Sequence, residues 1–409
     1  MNRPMAPDEA EEASFRYAGW RVVFACFVMA LVCWGFGFYG HAFYLAELQR
    51  LHGWPTSWIS TAASLYYFVA AILVAFVSDG IRKFGPRNCV LAGAVSFAIA
   101  VAALPFIRSP AQLYAVYLVM TVGWATMSVA AITNIIGPWF SSRRGLAISF
   151  ALNGASLSGV VIVPALVFLA GKTSFTVAML TGAVLILVVI VPLAMRVLAD
   201  APVFATDRLP AGSGTAASGP KWTRATALRS SAFWSVSGPF SLSLMSQVAF
   251  LVHIIAFLEP NMGRNAAGVA VAVTTAMAIV GRLVLGALAH RIDQRMASAL
   301  SLVSQSAALV LMIQTEDPNL LFLACAIYGF SVGNLITFPA LIIQREFEPA
   351  SFGMIVALST AITQFTYSFG PGLIGIVRDA AGTYTAALLV CIALNLTAAA
   401  IVARRPQDV

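Results

Sequence analysis

The sequence predicts an all-α membrane protein, with twelve transmembrane helices in two pseudo-symmetric six-helix bundles. Three observations carry this prediction: the scarcity of charge, the spacing of the apolar runs, and the way basic residues are shared among the gaps. Of 409 residues, 60% are hydrophobic and only 10% are charged, against ~45–50% and ~25% in an ordinary soluble domain. So few charges cannot cover a water-facing surface. That excludes a soluble enzyme, a disordered chain and a nucleic-acid-binding protein. A spanning helix needs ~20 apolar residues, and the hydrophobic content supplies roughly twelve of them.

The runs fall in order at about 19–44, 57–78, 88–107, 112–138, 146–170 and 175–198, then 233–258, 266–289, 296–314, 319–343, 353–376 and 384–403. Each is long enough to cross a bilayer as a helix, the form that satisfies its own backbone polar groups in lipid. The longest gap, between the sixth and seventh runs, contains Ala211-Gly212-Ser213-Gly214-Thr215-Ala216-Ala217-Ser218-Gly219-Pro220, a flexible-linker composition. The expected organisation is a tail at 1–18, a bundle at 19–198, a linker at 199–232, a second bundle at 233–403 and a tail at 404–409.

Placing both termini on one side sorts the basic residues. The opposite side then holds Arg50, Arg108, Lys172, Arg264 and Arg378, Arg282 lies inside a span, and the remaining eighteen of the 24 Lys and Arg share the side of the termini. Positive charge accumulates on the cytoplasmic face, so both termini are expected in the cytoplasm. Most of the net charge of +8 thus reports topology rather than an anionic partner. The five cysteines, Cys26, Cys33, Cys89, Cys325 and Cys391, sit in or beside apolar runs without metal-ligand spacing and read as small buried hydrophobes. Asp8, Glu9, Glu11 and Glu12 give the N-terminus the wrong character for a secretory signal.

An offset of 208 residues relates the halves. It lays the basic loop Ser78–Arg87 on Gly286–Arg295 and places Gly145 on Gly353, each opening the fifth span of its half. Two similar six-helix halves are the plan of a large class of secondary transporters that bind substrate near the bilayer midplane.

These features resemble the major facilitator superfamily. The Ser78–Arg87 loop is similar to its signature Gly-x-x-x-Asp-Arg-x-Gly-x-Arg between the second and third helices: Lys83, Gly85 and Arg87 match, Ser78 replaces the first Gly, and Arg82 stands in the Asp position with Asp79 three residues upstream. The resemblance implies a cytoplasmic conformational lock made by Asp79, Lys83, Gly85 and Arg87; the plainer reading is a solvated loop that sets topology. Further stretches resemble the monocarboxylate transporter and oxalate–formate antiporter branch: Trp139-Phe140-Ser141-Ser142-Arg143-Arg144-Gly145-Leu146-Ala147, His253 through Pro260, Gly281-Arg282-Leu283-Val284-Leu285-Gly286, and Gly370-Pro371-Gly372-Leu373-Ile374-Gly375 followed by Arg378-Asp379 and Gly382-Thr383-Tyr384. That branch implies a small organic anion as substrate and a substrate-facing arginine at position 282.

Arg282 carries the most weight on physical grounds as well. It lies eight residues before His290, ~12 Å along a helix, too deep for an ordinary loop charge. An arginine at membrane depth is costly, and its planar guanidinium can hold a carboxylate through two parallel hydrogen bonds. The competing reading is an arginine that snorkels to the interface. His253, in the outer part of the seventh span, is the proton-coupling candidate because imidazole titrates near neutral pH; the competing reading is a neutral cross-helix hydrogen bond. Glu47, Glu259 and Asp379 fall near outer span ends, where they can gate or relay protons, though solvation at the interface is the expectation.

Polar side chains within apolar helices form a second tier: Tyr66 and Tyr67, Asn153 and Ser156, Ser246 and Gln247, Asn334 and Thr337, and Thr363, Gln364 and Tyr367. Such groups bind substrate or tie helices together. Gln364 and Tyr367 share a helix face, and with Tyr66 and Asn334 they join Arg282 as the candidate substrate-binding set.

The expected function is secondary transport of a small organic anion, a monocarboxylate, by alternating access with proton symport or anion exchange. The expected partners are that anion, the lipid bilayer, and protons or a counter-anion; no cofactor, metal or nucleic acid is expected, and the oligomeric state is open. No Gly-x-x-x-x-Gly-Lys phosphate loop occurs, which argues against ATP drive. Alternatives are an efflux pump for drugs or metabolites and a transport-inactive membrane sensor. A membrane-embedded enzyme lacks a nucleophile or metal constellation.

Overall fold

The computed structural model describes residues 12, 14, 16–140, 143–198, 222–288, 291–348 and 351–404. The linker stretch Ala211–Pro220 and Arg3, Ser141, Ser142, Arg208, Lys221, His290 and Arg405 lie outside the described residues, as does the side chain of Ala287. No β-strand occurs among the described residues. Eleven helical stretches there are long and apolar enough to cross a membrane, and one of them, Thr56–Phe106, is two spans joined at Gly85. We number the spans α1 (Gly19–His52), α2 (56–84), α3 (86–106), α4 (Pro110–Ile136), α5 (Arg144–Lys172), α6 (Phe175–Val197), α7 (Ser231–Met262), α8 (Arg264–Leu288), α9 (Gln294–Gln314), α10 (Pro318–Glu346), α11 (Phe352–Ala381) and α12 (Tyr384–Ala403).

The helix ends follow from local chemistry. Ser109, Ser174, Ser230, Asp293 and Asp317 each accept a hydrogen bond from the first turn of the following helix, satisfying amides that have no intrahelical partner. Pro110 and Pro318 follow two of these caps, where a missing N–H costs nothing. Gly85 separates α2 from α3 with φ 80° and ψ 155°, a backbone region essentially reserved for glycine.

Several helices run past the apolar runs that predict them. α1 continues to His52 and so carries Glu47 and Arg50; α11 continues to Ala381 and carries Arg378 and Asp379. Hydropathy marks where a helix leaves apolar surroundings, whereas the hydrogen-bonded spiral goes on wherever neighbouring helices cover it.

The 208-residue offset extends through the secondary structure. Helices begin at Thr56 and Arg264, at Pro110 and Pro318, and at Arg144 and Phe352, each pair 208 residues apart. α4 is interrupted at Ser128, and α10 is interrupted at 336–337, again at the same offset. Interrupted helices in corresponding positions of two repeats are a recurrent transporter feature.

The chain forms two compact units, Met1–His41 with Val69–Ser213, and Ala42–Phe68 with Gly214–Val409. In the first unit α1 packs closely on α5: a methyl on Gly154 would strike the Phe27 carbonyl, and one on Gly35 would meet the Ile162 side chain. Gly35–Tyr39 is a π-helical turn within α1, followed by His41, fully buried and stacked on Tyr117 at 5.0 Å. Tyr17 and Trp20 hold Phe140 edge-on at 5.4 and 5.2 Å, so the Trp139-Phe140 pair anchors the start of α1.

In the second unit, α8 and α10 approach backbone to backbone. Methyl groups on Gly281, Gly329 or Gly333 would collide with the carbonyls of Phe330, Thr274 and Ala278. α12 is tied to α7 by the Ser246 Oγ donation to the Cys391 carbonyl (3.2 Å) and to α9 by the Asn395–Gln305 amide pair (3.3 Å). The five cysteines are free and buried. Large apolar side chains such as Phe24, Phe76, Val188, Leu283 and Leu300 are exposed, as a lipid-facing surface requires.

Candidate functional site

Arg282 lies on α8, six residues before its end at Leu288, ~9 Å of helix rise. It sits midway between the helix centre and the end with the basic loops. Its side chain is half-buried. On one side Gly281 is sealed against the Phe330 carbonyl; on the other Leu283 is 70% exposed. The Phe330 carbonyl also accepts a hydrogen bond from Asn334 Nδ2 (3.3 Å). One carbonyl on α10 therefore brings Gly281, the residue before Arg282, next to the predicted Asn334. Asn334 is buried, and its Oδ1 makes no hydrogen bond among the described residues. It also falls where α10 breaks, its carbonyl accepting from the Thr337 amide (2.9 Å).

The other substrate candidates gather on α2 and α11. Tyr66 contacts Tyr67 at 5.1 Å, and Tyr67 meets Tyr367 edge-on at 5.7 Å. Tyr66 is fully buried, while Gln364 and Tyr367 are half-buried. Thr363, beside Gln364, shares a hydrogen bond with Ser241 of α7 (3.0 Å). The predicted set thus divides between the α8–α10 contact, where Gly281 next to Arg282 and Asn334 share the Phe330 carbonyl, and a tyrosine–Gln364 group on α2 and α11.

His253 bridges three helices. Its Nε2 lies 3.0 Å from the Pro371 carbonyl and its Nδ1 lies 3.3 Å from the Tyr384 hydroxyl. A carbonyl only accepts, so Nε2 carries the proton, and in the neutral ring Nδ1 accepts from tyrosine. A doubly protonated ring requires the Tyr384 hydroxyl to turn its hydrogen away.

This histidine belongs to a larger seam between α2, α7, α11 and α12. α2 starts after Trp54-Pro55 without a cap of its own, and Asp379 of α11 supplies one, accepting from the Thr56 and Ser57 amides (3.2 and 2.6 Å). A carboxylate is favoured at a helix N-terminus by the exposed amides and the helix dipole. Arg378 pairs with Asp379 at 3.0 Å and lies over the Tyr384 ring at 5.5 Å. Further along α11, Ser64 Oγ accepts from the Gly372 amide (2.8 Å), and a methyl on Gly375 would strike Ser60. The glycines at 372 and 375 are what let α2 lie this close. The stretch Gly370–Tyr384, singled out by resemblance, is this clamp.

Glu47 corrects the expectation of a solvated interfacial carboxylate. It is 1% exposed and bound by Arg50 Nη2 at 2.7 Å and by Arg264, the first residue of α8. Asp379 is likewise bound rather than solvated. Sequence reasoning could not see either, because α1 and α11 run on past their apolar runs.

The basic-loop signature has a different character. Asp79 pairs with Arg82 at 2.8 Å, but both are well over half exposed, and an exposed pair contributes little. Lys83 lies over the Phe84 ring at 5.2 Å. Among the described residues neither Lys83 nor Arg87 forms an ion pair. Asn134 Nδ2 donates to Ser78 Oγ (3.0 Å), tying the loop to α4. A buried charge cluster occurs instead in the other repeat, at Arg295, the 208-offset partner of Arg87. Arg295 binds Glu346 through Nε and Nη2, both at 2.6 Å, and also reaches Ser235 Oγ (2.9 Å) and the Val402 and Arg404 carbonyls (3.2 Å each). The repeat alignment was the available signal for it. His41 and the π-helical turn carried no recognisable signal in one sequence.

Twelve spans among the described residues, two offset-related halves, paired charges at helix ends and Arg282 deep within α8 define a multi-pass membrane transporter. The chain belongs to the Major Facilitator Superfamily, whose family profile matches residues 23–371. It is accordingly a transporter of a small-molecule substrate across a lipid bilayer and not an enzyme. It is 26% identical over 407 residues to monocarboxylate transporter 13 of Rattus norvegicus, covering 95% of this chain and 89% of that one. It is 27% identical over 376 residues to monocarboxylate transporter 11 of Mus musculus, covering 85% and 78%. The fold is similar to that of a bacterial homologue of the human lysosomal transporter Spinster in an inward-facing, occupied conformation (TM-score 0.72, 14% identity, 95% and 97% covered). It is also similar to the nucleoside transporter NupG (TM-score 0.74, 14% identity, 93% and 98% covered).

Proposed function

We propose that this protein is a secondary active transporter of a small monocarboxylate, working by alternating access with proton symport or anion exchange. The observation that carries the reading is Arg282, a guanidinium inside a span, one residue after the Gly281 that packs on the same Phe330 carbonyl to which the buried Asn334 gives one of its two Nδ2 hydrogens, the other remaining to donate to a ligand. A monocarboxylate offers such a guanidinium two parallel acceptors. The likeness to monocarboxylate transporters 13 and 11 over most of the chain supports the same substrate class.

In this reading Arg282 and Asn334 receive the carboxylate end of the substrate. Tyr66, Gln364 and Tyr367 form the second group of contacts, and the tyrosine rings suit the apolar body of the ligand. His253 is the proton-coupling group if protons drive transport. Both termini are cytoplasmic by the distribution of basic residues, with bundles at 19–198 and 233–403 joined by the linker at 199–232. Asp79, Lys83, Gly85 and Arg87 are the candidates for a cytoplasmic lock, which would have to form in the other facing state, since the Asp79–Arg82 pair here is exposed. A ligand drives such a cycle only through different affinities for the two facing states.

The test is a thermal-shift screen of the purified protein against mono- and dicarboxylates, repeated on Arg282→Ala and Arg282→Lys. Specific ligands raise Tm by mass action. A monocarboxylate should stabilise the parent, lose its effect in Arg282→Ala, and keep part of it in Arg282→Lys, which retains charge without the planar fork. Undiminished stabilisation and uptake in a well-folded Arg282→Ala protein would remove the proposal.

A further inference from the structure

We propose that Glu47 is the centre of an external latch, and that the transporter opens outward only when Arg264 leaves it; this rests on the transporter reading above and on the orientation with cytoplasmic termini. Glu47 projects from the extension of α1 beyond its apolar run. One carboxylate oxygen is held by Arg50 on its own helix and the other by Arg264 at the start of α8. The two arginines are unlike. The Arg50 side chain is 52% exposed and the Arg264 side chain 19%, against 2% for Glu47. The Arg50 contact is open to water on the arginine side, so Arg50 is easily rehydrated and its share of the stabilisation is screened. The Arg264 contact is nearly dry, and a buried carboxylate stripped of its partner is strongly disfavoured.

That asymmetry is what a latch needs. While the end is closed, losing Arg264 leaves a charge in a low-dielectric setting. Once water enters, the same separation costs little, because both ions are hydrated. Arg264 opens α8 and is joined to α7 through Gly263 alone, which ends α7 with φ 79°, so the turn gives the start of α8 a point about which to swing. Glu259 lies one turn before the end of α7, five residues from Arg264, close enough to feel its charge. It offers Arg264 a second acceptor after release, so the arginine passes between carboxylates rather than being left bare. The Asp379 cap on Thr56 and Ser57 and the Ser64–Gly372 hydrogen bond hold the neighbouring helices together and make the latch part of one closed end.

The experiment uses the full chain carrying Ser60→Cys as reporter, reconstituted in sided vesicles. Ser60 is fully buried against Gly375, and the native cysteines are buried too. A membrane-impermeant maleimide added from outside reads opening of this end and requires no substrate, so failure of the carboxylate reading leaves the measurement intact. Glu47→Gln and Arg264→Gln should each raise the labelling rate at least tenfold, whereas Arg50→Ala should stay within about twofold of the parent. Exchanging the pair in one protein (Glu47→Arg with Arg264→Glu) should bring labelling back toward the parent rate, which covers the case in which a single variant fails to fold. Unchanged labelling in folded Glu47→Gln and Arg264→Gln, an equal effect of Arg50→Ala, or faster labelling only from the internal side would each overturn the latch.

Discussion

Replacing Gly281 by Ala tests whether the α8–α10 contact sets the position of Arg282. A Cβ at 281 would lie 2.9 Å from the Phe330 carbonyl carbon and 3.3 Å from its Cα, with the carbonyl oxygen closer still. Carbon atoms in contact stand ~3.5–4.0 Å apart, so the new methyl intrudes by several tenths of an ångström or more. The atoms in its way are backbone, held in α10, and the carbonyl is also engaged by Asn334; no side chain can rotate to make room. Overpacking costs ~1–3 kcal/mol, and an obstacle made of backbone puts this contact in the upper part of that range, ~2–3 kcal/mol. The helix preference of Ala over Gly returns ~1 kcal/mol, leaving a net loss of about 1–2 kcal/mol. For a unit of this size, ~2–4 °C per kcal/mol gives a drop in Tm of roughly 2–8 °C. Because the displaced strip includes the residue before Arg282 and the carbonyl that holds Asn334, ligand stabilisation should fall as well. Differential scanning fluorimetry in detergent, with and without the best carboxylate from the screen, measures both. Gly353→Ala is the control, since nothing lies within 4 Å of its Cβ position; its Tm should hold or rise. If Gly281→Ala matches the parent in Tm and ligand response, the contact is not what positions Arg282.

Other consequences are as direct. Arg295→Ala strips Glu346, Ser235 and two carbonyls of their shared donor and should cost ~3–5 kcal/mol, read as a large loss of Tm, with Arg295→Lys intermediate; a change no larger than that of the exposed Asp79→Ala control contradicts it. If protons drive transport through His253, the pH–uptake profile of His253→Gln should flatten; a profile that keeps its shape assigns His253 to bracing α7 against Pro371 and Tyr384 alone.

How far the site was legible differs residue by residue. Arg282 stood out because an ionised group among apolar neighbours is a local contrast visible in one strand of text. Tyr66 and Tyr367 were selected separately, one as a polar group in a span and one by its helix face. That their rings meet through Tyr67 depends on α2 lying against α11, which depends on Gly372 and Gly375 admitting Ser60 and Ser64. Arg295 was read as one more topology-setting charge, and its burial emerged only when α9, α10 and α12 closed around it. Glu47 and Asp379 were misjudged for one shared reason: apolar runs mark the boundary with lipid, and these helices continue beyond it under cover of their neighbours.

The sequence by itself determined the class of protein, the number and order of spans and the 208-residue repeat. A bilayer imposes length and polarity on each segment separately, so those properties are written locally. Only the tertiary structure decided which charges are paired. Glu47 meets a residue more than two hundred positions away, and Asp379 caps a helix more than three hundred positions before it. Whether a carboxylate is solvated, capping or latched depends on what distant helices place beside it and on how much water they leave there.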